Sequence, residues 1–190
     1  MWTIPNILTL LRILLIPVLV VVFYLPVPWS GPAAALVFAV AAFTDWLDGH
    51  LARLWQQTTS LGAFLDPVAD KLIVAVALVL LVQSDPRMLL AVPAAIIIGR
   101  EIAISALREW MAELGSRATV AVSMVGKVKT TAQMLAIFLL LFQQDYLGLP
   151  IKDVGYLLLY LAALLTLWSM LVYLKAAWPS FREEDVRKGR

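Results

Sequence analysis

Six stretches of about 20 mostly apolar residues follow one another along this chain, and they constrain its fold more than any other feature. They cover 8–26, 33–54, 67–83, 89–112, 125–143 and 154–176. A helix needs roughly 20 such residues to cross about 30 Å of hydrocarbon. Short breaks rich in Pro, Gly, Ser and Asp separate the stretches. The sequence therefore predicts an all-α integral membrane protein with six transmembrane helices.

The composition agrees with a membrane protein and removes several kinds of chemistry. Hydrophobic residues make up 62% of the 190 residues and charged residues 15%, whereas soluble domains average about 45–50% and about 25%. The absence of cysteine excludes disulfides and thiolate metal sites, and the single histidine, His50, excludes multi-histidine metal sites and most histidine-based triads within one chain. Any chemistry must therefore use oxygen ligands and basic side chains. Six spans leave little length for a soluble unit, so we expect one membrane-embedded domain over 1–190.

Both ends of the chain are interpreted as lying outside the spans. Residues 1–10 are predicted to form a short amphipathic interfacial helix that starts near Pro5 and leads into the first span. They do not match a secretory signal, because Arg12 lies inside the apolar run and Pro17 interrupts it. Residues 178–190 carry mixed acidic and basic side chains and are predicted to be a frayed tail.

The distribution of basic residues predicts the orientation in the membrane. Loops rich in Lys and Arg stay on the cytoplasmic side. With six spans, the N-terminus, the second and fourth loops and the C-terminus share one side, which receives thirteen of the 15 Lys and Arg residues. Only Arg87 and Lys152 fall on the other side. We therefore expect a multi-pass protein whose N- and C-termini are cytoplasmic.

Four aspartates interrupt the apolar pattern where the second span ends and the third begins. Asp45 and Asp48 are three residues apart, and Asp66 and Asp70 are four apart, so each pair lies on one face of a helix. An ionisable residue in a span costs about 2.5–3.5 kcal/mol on insertion scales. A short connection around 53–65 would make the two helices antiparallel neighbours. We therefore expect the four carboxylates to meet at one point.

Clustered carboxylates repel one another unless a cation neutralises them. Hard divalent cations suit such a site, which favours Mg²⁺, Mn²⁺ or Ca²⁺. Two ions shared by four aspartates are typical of enzymes that catalyse displacement at phosphorus. The plainer alternative is that these residues are solvated helix ends, in which case Asp66, directly before Pro67, is a helix cap.

The spacing of these residues resembles a known family signature. Residues 45–53 match D-x-x-D-G-x-x-A-R, and after the eight residues 54–61, residues 62–70 match G-x-x-x-D-x-x-x-D. This is the signature of the class-I CDP-alcohol phosphatidyltransferase family, and Pro5 to Thr9, followed by Arg12, resembles its N-terminal segment. The resemblance implies the fold of that family, a CDP-alcohol phosphotransferase-like bundle, and a homodimer in a bacterial inner (plasma) membrane.

Two further segments resemble one bacterial subgroup of this family. They are 100–115, which begins Arg-Glu-Ile-Ala-Ile-Ser, and 126–130, Gly-Lys-Val-Lys-Thr. The resemblance implies an enzyme that transfers the phosphatidyl group of CDP-diacylglycerol to sn-glycerol 3-phosphate. Its products are phosphatidylglycerophosphate and CMP, within phosphatidylglycerol and cardiolipin synthesis. The implied partners are the two substrates and membrane lipids, with no nucleic acid.

The signature also implies a role for each of its residues. Asp45, Asp48, Asp66 and Asp70 are the implied ligands of two divalent cations, Mg²⁺ or Mn²⁺, and Asp70 is the implied general base for the acceptor hydroxyl. The positions that match the family's CDP-diacylglycerol site are Asn6, Ile7, Leu8, Thr9, Gly49, Ala52, Arg53 and Thr59. Taken alone, a glycine such as Gly49 is more typical of close helix packing.

Glycerol 3-phosphate brings a doubly charged phosphate that needs basic partners. The candidates are Arg100, Arg108, Lys127 and Lys129, because arginine forks and lysine ammonium groups both bind phosphate. Residues two apart on a helix point about 200° apart, so Lys127 and Lys129 are not expected to face one pocket. The alternatives are contacts with anionic lipid headgroups and, for the arginines, pairing with a neighbouring glutamate such as Glu101.

Two other functions stay open at this point. The same transfer to another acceptor, such as serine, inositol phosphate or a second phospholipid, would use the same signature. A small ion or proton transporter also places carboxylates within a membrane. It predicts acidic residues spread through the membrane depth, whereas these gather at one boundary.

Overall fold

The computed structural model of the chain describes residues 4–55, 59–113, 124–144 and 150–188, and the regular structure in these ranges is entirely helical. Six helices follow one another: α1 (Ile4–Phe23), α2 (Ser30–Trp55), α3 (Ser60–Ser84), α4 (Met88–Glu113), α5 (Met124–Phe142) and α6 (Ile151–Lys188). The predicted all-α class is confirmed.

Four of these helices are long and apolar enough to cross a bilayer, judged on the residues that the structure describes. Their qualifying segments are Asn6–Phe23 in α1, Ser30–Leu51 in α2, Met88–Ala112 in α4 and Ile151–Lys175 in α6. Large apolar side chains on these helices face outward, among them Leu14, Leu36, Val92, Leu164 and Trp168. An apolar exterior of this extent marks a surface that meets lipid. The chain is therefore an all-α membrane protein.

The helices pack through small residues in the interior. Many of the fully buried positions are alanines, among them Ala34, Ala41, Ala69, Ala77, Ala136 and Ala162. Because lipid is as apolar as the core, membrane helices associate by close van der Waals packing between small residues. Larger side chains such as Phe38, Leu78 and Ile137 fill the space between them.

The ends of the helices agree with the predicted breaks except at the start of α3. This helix begins at Ser60, although the third apolar stretch begins at 67. Thr59 starts the earlier turn, because its Oγ1 accepts a hydrogen bond of 3.0 Å from the backbone N–H of Gly62 and caps the helix. The predicted connection over 53–65 is therefore too long, since capped helical turns precede the continuous apolar part of α3.

The N-terminal segment is continuous with the first helix of the bundle. α1 is one helix from Ile4 to Phe23, so the prediction of a separate short helix over 1–10 is wrong for the residues described there, and its interfacial location stays a prediction. Asn6 and Thr9 are buried, and the hydrogen bonds of their side chains to residues in and just before α3 compensate for the loss of water. These hydrogen bonds therefore hold the first turns of α1 against α3.

The C-terminal end stays helical further than predicted. α6 runs without a break from Ile151 to Lys188, so the prediction of a frayed tail over 178–190 is wrong up to Lys188. The sequence places Glu183 four residues before Arg187, and oppositely charged residues at that spacing favour a helix.

The helices pack so that the starts of some lie beside the ends of others at one end of the bundle. α1 packs against α2 and α3, α2 against α5, and α6 against α4 and α5. The starts of α1, α3 and α5 meet the later turns of α2 and α4 at one end of the bundle. A helix of 25 residues such as α3 is about 37 Å long. Asp85, which follows α3, therefore lies at the opposite end.

Candidate active site

Arg12 lies at the centre of the polar end of the bundle. Its side chain is 0% exposed, and Nη1 lies 3.2 Å from Oδ1 of Asp45. Nη1 also donates a hydrogen bond to Asp70, and Nη2 donates one to Asp48. One guanidinium therefore joins α1 to the later turns of α2 and the first turns of α3.

Three of the four predicted aspartates contact this guanidinium, and the fourth, Asp66, lies one helical turn before Asp70 on α3. Asp66 accepts a hydrogen bond from Oγ1 of Thr9, which lies one turn before Arg12 on α1. The charges of Asp45 and Asp66 both act on Asp48, so the carboxylates lie within electrostatic range of one another. The predicted convergence is confirmed. We call Asp45, Asp48, Asp66 and Asp70 the carboxylate cluster.

The members of the carboxylate cluster differ in what they face. Asp48 is buried, whereas the side chains of Asp45 and Asp70 are 41% and 38% exposed. Asp66 lies within α3, and the residue that caps this helix is Thr59. The alternative in which Asp66 is a helix cap is therefore wrong. The cluster lies within the helices and not at their solvated ends.

A cavity of about 350 Å³ opens beside the carboxylate cluster. Asp45, Asp66 and Asp70 line it on the side of α2 and α3. Arg108 of α4 and Lys129 of α5 also line it, and we call these two residues the basic wall. Lys71 and Glu101 line it as well, so acidic and basic side chains border one cavity.

The predicted acceptor-binding residues differ in their burial and in whether they line the cavity. Lys129 is buried, and its Nζ lies 3.0 Å from Oε1 of Glu101, which also lines the cavity. Lys127 is exposed, so the expectation that the two lysines do not share a pocket is confirmed. Arg100 pairs with Glu101 at 2.8 Å and donates a hydrogen bond of 3.3 Å to Ser169, and it does not line the cavity.

Tyr173 of α6 contacts both Arg100 and Arg108, and it was not among the predicted site residues. Nη2 of Arg108 donates a hydrogen bond of 2.7 Å to the hydroxyl of Tyr173. The guanidinium groups of Arg108 and Arg100 lie 5.1 and 5.7 Å from the centre of the tyrosine ring, within the range of cation–π contacts. A tyrosine in an apolar stretch is typical of the membrane interface, so the local sequence carried no signal for this contact.

The first turn of α1 docks on the cap of α3. Oγ1 of Thr59 donates a hydrogen bond of 2.9 Å to Oδ1 of Asn6. A Cβ atom added to Gly62 would lie 2.5 Å from the same Oδ1, so a larger residue there would displace the Asn6 side chain. The other predicted donor-binding residues on α1 range from buried to partly buried to exposed, in the order Thr9, Leu8 and Ile7.

Gly49 borders open space on α2. No atom described outside the helix itself lies within 4 Å of an added Cβ. The interpretation of this glycine as a helix-packing residue is therefore wrong for the part of the chain that the structure describes, and its backbone is open to a ligand. The side chains of Ala52 and Arg53, in the same signature, lie outside the described residues.

The carboxylate cluster has the chemistry of a divalent-metal site. Carboxylate oxygens are the ligands that Mg²⁺ and Mn²⁺ prefer, and Arg12 is the one cation that contacts them among the ion pairs of the described residues. As the side chains lie, no three acidic or histidine side chains in the described ranges surround a common metal position. The Arg12 guanidinium lies among them instead. The donor set fits divalent cations, and its present arrangement is a carboxylate–guanidinium network.

A second polar cluster lies at the opposite end of the bundle. Asp85 accepts two hydrogen bonds of 2.6 Å from Arg87 and one from the hydroxyl of Tyr156 on α6. Lys152 lies 3.8 Å from the same carboxylate. The hydrogen bonds from Arg87 and Tyr156 hold the pKa of Asp85 below its ordinary value, and the bond to Asp85 raises the pKa of Arg87. We call these four residues the Asp85 cluster.

Comparison with known proteins identifies the family of this chain. The chain belongs to the CDP-alcohol phosphatidyltransferase family, whose model matches residues 2–168. Two relatives carry the name CDP-diacylglycerol–glycerol-3-phosphate 3-phosphatidyltransferase: one from Shigella flexneri serotype 5b (strain 8401), 59% identical, and one from Escherichia coli (strain K12), 58% identical. Each match extends over 176 residues, 93% of this chain and 95% of the relative. The resemblance inferred from the sequence is confirmed for the family and for its subgroup.

Proposed function

We propose that this chain transfers the phosphatidyl group of CDP-diacylglycerol to a hydroxyl of sn-glycerol 3-phosphate, giving phosphatidylglycerophosphate and CMP. The observation that carries the proposal is the cavity between the carboxylate cluster and the basic residues Arg108 and Lys129. Clustered carboxylates suit displacement at phosphorus, and basic side chains opposite them suit an acceptor that carries phosphate. Relatives at 58–59% identity bear the name of this activity.

The protein acts as one membrane-embedded domain with six transmembrane helices. α3 and α5, with 25 and 19 residues, are about as long as a span requires and pack beside the four helices that qualify as spans. The excess of basic residues on one side supports cytoplasmic termini. Because the relatives are bacterial, the membrane is the bacterial inner membrane. Its cytoplasmic boundary is where a lipid donor and a water-soluble acceptor meet.

Asp45, Asp48, Asp66 and Asp70 are the proposed ligands of two divalent cations, Mg²⁺ or Mn²⁺. The family in general uses divalent cations, and the donor set consists of the oxygen ligands that these ions prefer. When bound, such ions neutralise the pyrophosphate oxygens of the donor and the charge that develops on the departing CMP.

Asp70 is the proposed general base. Its carboxylate faces the cavity and is held by a hydrogen bond from Arg12. The acceptor hydroxyl passes its proton to Asp70 as its oxygen forms a bond to the phosphatidyl phosphorus, and the bond from that phosphorus to the CMP oxygen breaks. Asp70 therefore needs to reach the same space as the acceptor, which its position in the cavity wall supports.

The acceptor phosphate binds to the basic wall. Arg108 and Lys129 contact it directly, because both line the same cavity as Asp70. Arg100 acts through Glu101, which it shares with Lys129. Lys127, on the exposed face of α5 and outside the cavity lining, contacts anionic lipid headgroups at the same boundary.

The donor binds along the side of the site formed by α1 and α2. The open backbone at Gly49 leaves space for the cytidine phosphate. Asn6, Thr9 and Thr59 hold the first turns of α1 against α3 beside the carboxylate cluster. The remaining proposed donor contacts rest on their match to the family signature: Ile7, Leu8, Ala52 and Arg53.

The proposed oligomer is a homodimer, as the family resemblance implies. Large apolar side chains face outward on several helices, which gives both lipid and a second copy a suitable surface. The mass of the purified protein in detergent, corrected for bound detergent, separates one chain from two.

Release of CMP tests the proposed activity. The purified chain in detergent, given CDP-diacylglycerol, Mg²⁺ and labelled glycerol 3-phosphate, is expected to release CMP and to transfer the label to the lipid phase. Unlabelled serine or inositol phosphate in excess is expected to leave this transfer unchanged. A preference for an uncharged acceptor contradicts the roles of Arg108 and Lys129.

A liposome assay tests the transporter alternative. Ion flux into liposomes, without CMP release in the presence of any acceptor, contradicts the transferase and supports the transporter.

A further inference from the structure

The guanidinium of Arg12 is the most deeply buried charge at the polar end of the bundle. It is 0% exposed and contacts three carboxylates on two other helices. Its Nε atom is buried without a hydrogen-bonding partner. Burying an arginine in this way is expensive in a membrane helix, so its retention calls for a reason beyond helix packing.

We propose that Arg12 is a positioning residue that acts as a built-in counter-ion of the carboxylate cluster. It holds Asp45, Asp48 and Asp70 together when no divalent cation is bound, and it releases their oxygens when cations bind. This inference rests on the proposed function, because it takes the carboxylate cluster as the metal site.

The contacts of Arg12 make it a competitor of the cations. Its two terminal nitrogens lie against one oxygen each of Asp45, Asp70 and Asp48. These are oxygens that a divalent cation shared by the same residues would also use. A guanidinium spreads one charge over a rigid fork of donors, so it can bridge carboxylates that would otherwise repel one another. Arg12 therefore holds these carboxylates together in the metal-free protein, and the cations do so in the metal-bound protein.

This competition predicts two effects of opposite sign. Without Arg12, the metal-free cluster gains one net negative charge, so the carboxylates repel more strongly and the metal-free protein becomes less stable. The same added negative charge, together with the loss of the competing guanidinium, strengthens the binding of a divalent cation. A residue that served only to pack α1 against α2 and α3 would lower stability equally with and without metal.

The test compares Arg12→Gln and Arg12→Lys with the parent chain in detergent. The concentration of free Mn²⁺, followed by its paramagnetic resonance signal, gives the dissociation constant without any need for activity. Arg12→Gln is expected to bind Mn²⁺ at least about tenfold more tightly, and Arg12→Lys, which keeps the charge but loses the fork, is expected to lie between. Unfolding followed by tryptophan fluorescence is expected to show a lower Tm for Arg12→Gln in chelator, with the difference reduced at saturating Mn²⁺.

A matched control lies in the Asp85 cluster. Arg87→Gln removes an arginine from an acid at the opposite end of the bundle, so it is expected to shift Tm by the same amount with and without Mn²⁺. Unchanged or weaker Mn²⁺ binding by both Arg12 variants overturns the proposed competition. If Arg12→Gln does not fold, Arg12→Lys alone decides by the same criterion. If the parent chain itself binds no Mn²⁺, the proposed metal site fails instead, and the two failures are thereby distinguished.

Discussion

The carboxylate cluster and the Asp85 cluster both join helices through charged side chains, but they balance charge differently. In the carboxylate cluster one fully buried arginine, Arg12, contacts three of four acids. In the Asp85 cluster a single acid has Arg87, Lys152 and the Tyr156 hydroxyl around it, and the Arg87 side chain is 58% exposed. The first cluster borders a cavity of about 350 Å³ and the second a pocket of about 140 Å³.

This difference indicates which cluster serves chemistry. In the Asp85 cluster the single acid is fully neutralised by two bases, and pairs with such exposed bases contribute about 0–1 kcal/mol. In the carboxylate cluster four acids share one buried arginine, so desolvation and repulsion lower stability, and the arrangement points to a role other than stabilising the fold. An excess of carboxylate charge, and not polarity alone, therefore distinguishes the candidate active site from a structural contact in this molecule.

Removing one carboxylate charge at each end is expected to give the largest contrast. Asp70→Asn keeps the shape of the side chain but removes the proton acceptor, so CMP release is expected to fall by about 10³-fold, within the range of general acid–base catalysis. Asp85→Asn makes the same change at the other end and is expected to leave the rate within about twofold, because Asp85 does not line the cavity beside the carboxylate cluster. The Tm of each variant controls for folding. An Asp70→Asn protein as active as its parent would exclude Asp70 as the base.

Removing basic side chains tests whether the basic wall binds the phosphate of the acceptor. Losing a hydrogen bond to a charged group is worth about 1.5–3 kcal/mol, so Arg108→Ala and Lys129→Ala are each expected to raise KM for glycerol 3-phosphate by about 10- to 150-fold. KM for CDP-diacylglycerol is expected to change little. Lys127→Ala is the matched control, since Lys127 is exposed on the other face of α5. Equal effects of Lys127→Ala and Lys129→Ala on KM for glycerol 3-phosphate contradict this assignment.

Local spacing was enough to predict much of the carboxylate cluster. Three- and four-residue spacings on a helix place side chains on one face whatever surrounds them, so Asp45 with Asp48 and Asp66 with Asp70 could be paired from the sequence. The extent of α3 could not be predicted in this way. The capping hydrogen bond at Thr59 begins the helix before its apolar stretch, and apolar length alone does not register a cap.

Contacts between distant parts of the chain could not be predicted. Arg12 meets Asp48 and Asp70 from 36 and 58 residues away, and Tyr173 meets Arg108 from 65 residues away. No helical periodicity relates such positions, because only the packing of whole helices brings them together. The sequence showed Arg12 inside an apolar run and in a segment that resembles the family's N-terminus, but it did not predict the contacts with the aspartates that place Arg12 at the centre of the site.

Removing one hydroxyl from the Asp85 cluster tests whether this cluster acts only on stability. Tyr156→Phe deletes the hydrogen bond to Asp85, which is worth about 0.5–1.5 kcal/mol net, so Tm is expected to fall by about 1–6 °C. CMP release is expected to stay the same. Tyr160→Phe, one turn further along α6 and exposed, is the matched control and is expected to leave Tm unchanged. A loss of CMP release in Tyr156→Phe with Tm preserved would show that the two clusters are coupled.

The dependence of stability on pH gives the smallest and most specific difference. Because the pKa of Asp85 is held below its ordinary value in the folded chain, its contribution is complete above the unfolded pKa of about 3.9 and is lost only as pH falls through the lower folded value. The difference in Tm between the parent and Asp85→Asn is therefore expected to be constant from about pH 5 to 8 and to shrink below about pH 4. Arg87 is the main cause of the lowered pKa, so in an Arg87→Gln background the loss is expected to be smaller and to be complete at a higher pH. A difference that already changes between about pH 6 and 8 contradicts this account of Asp85.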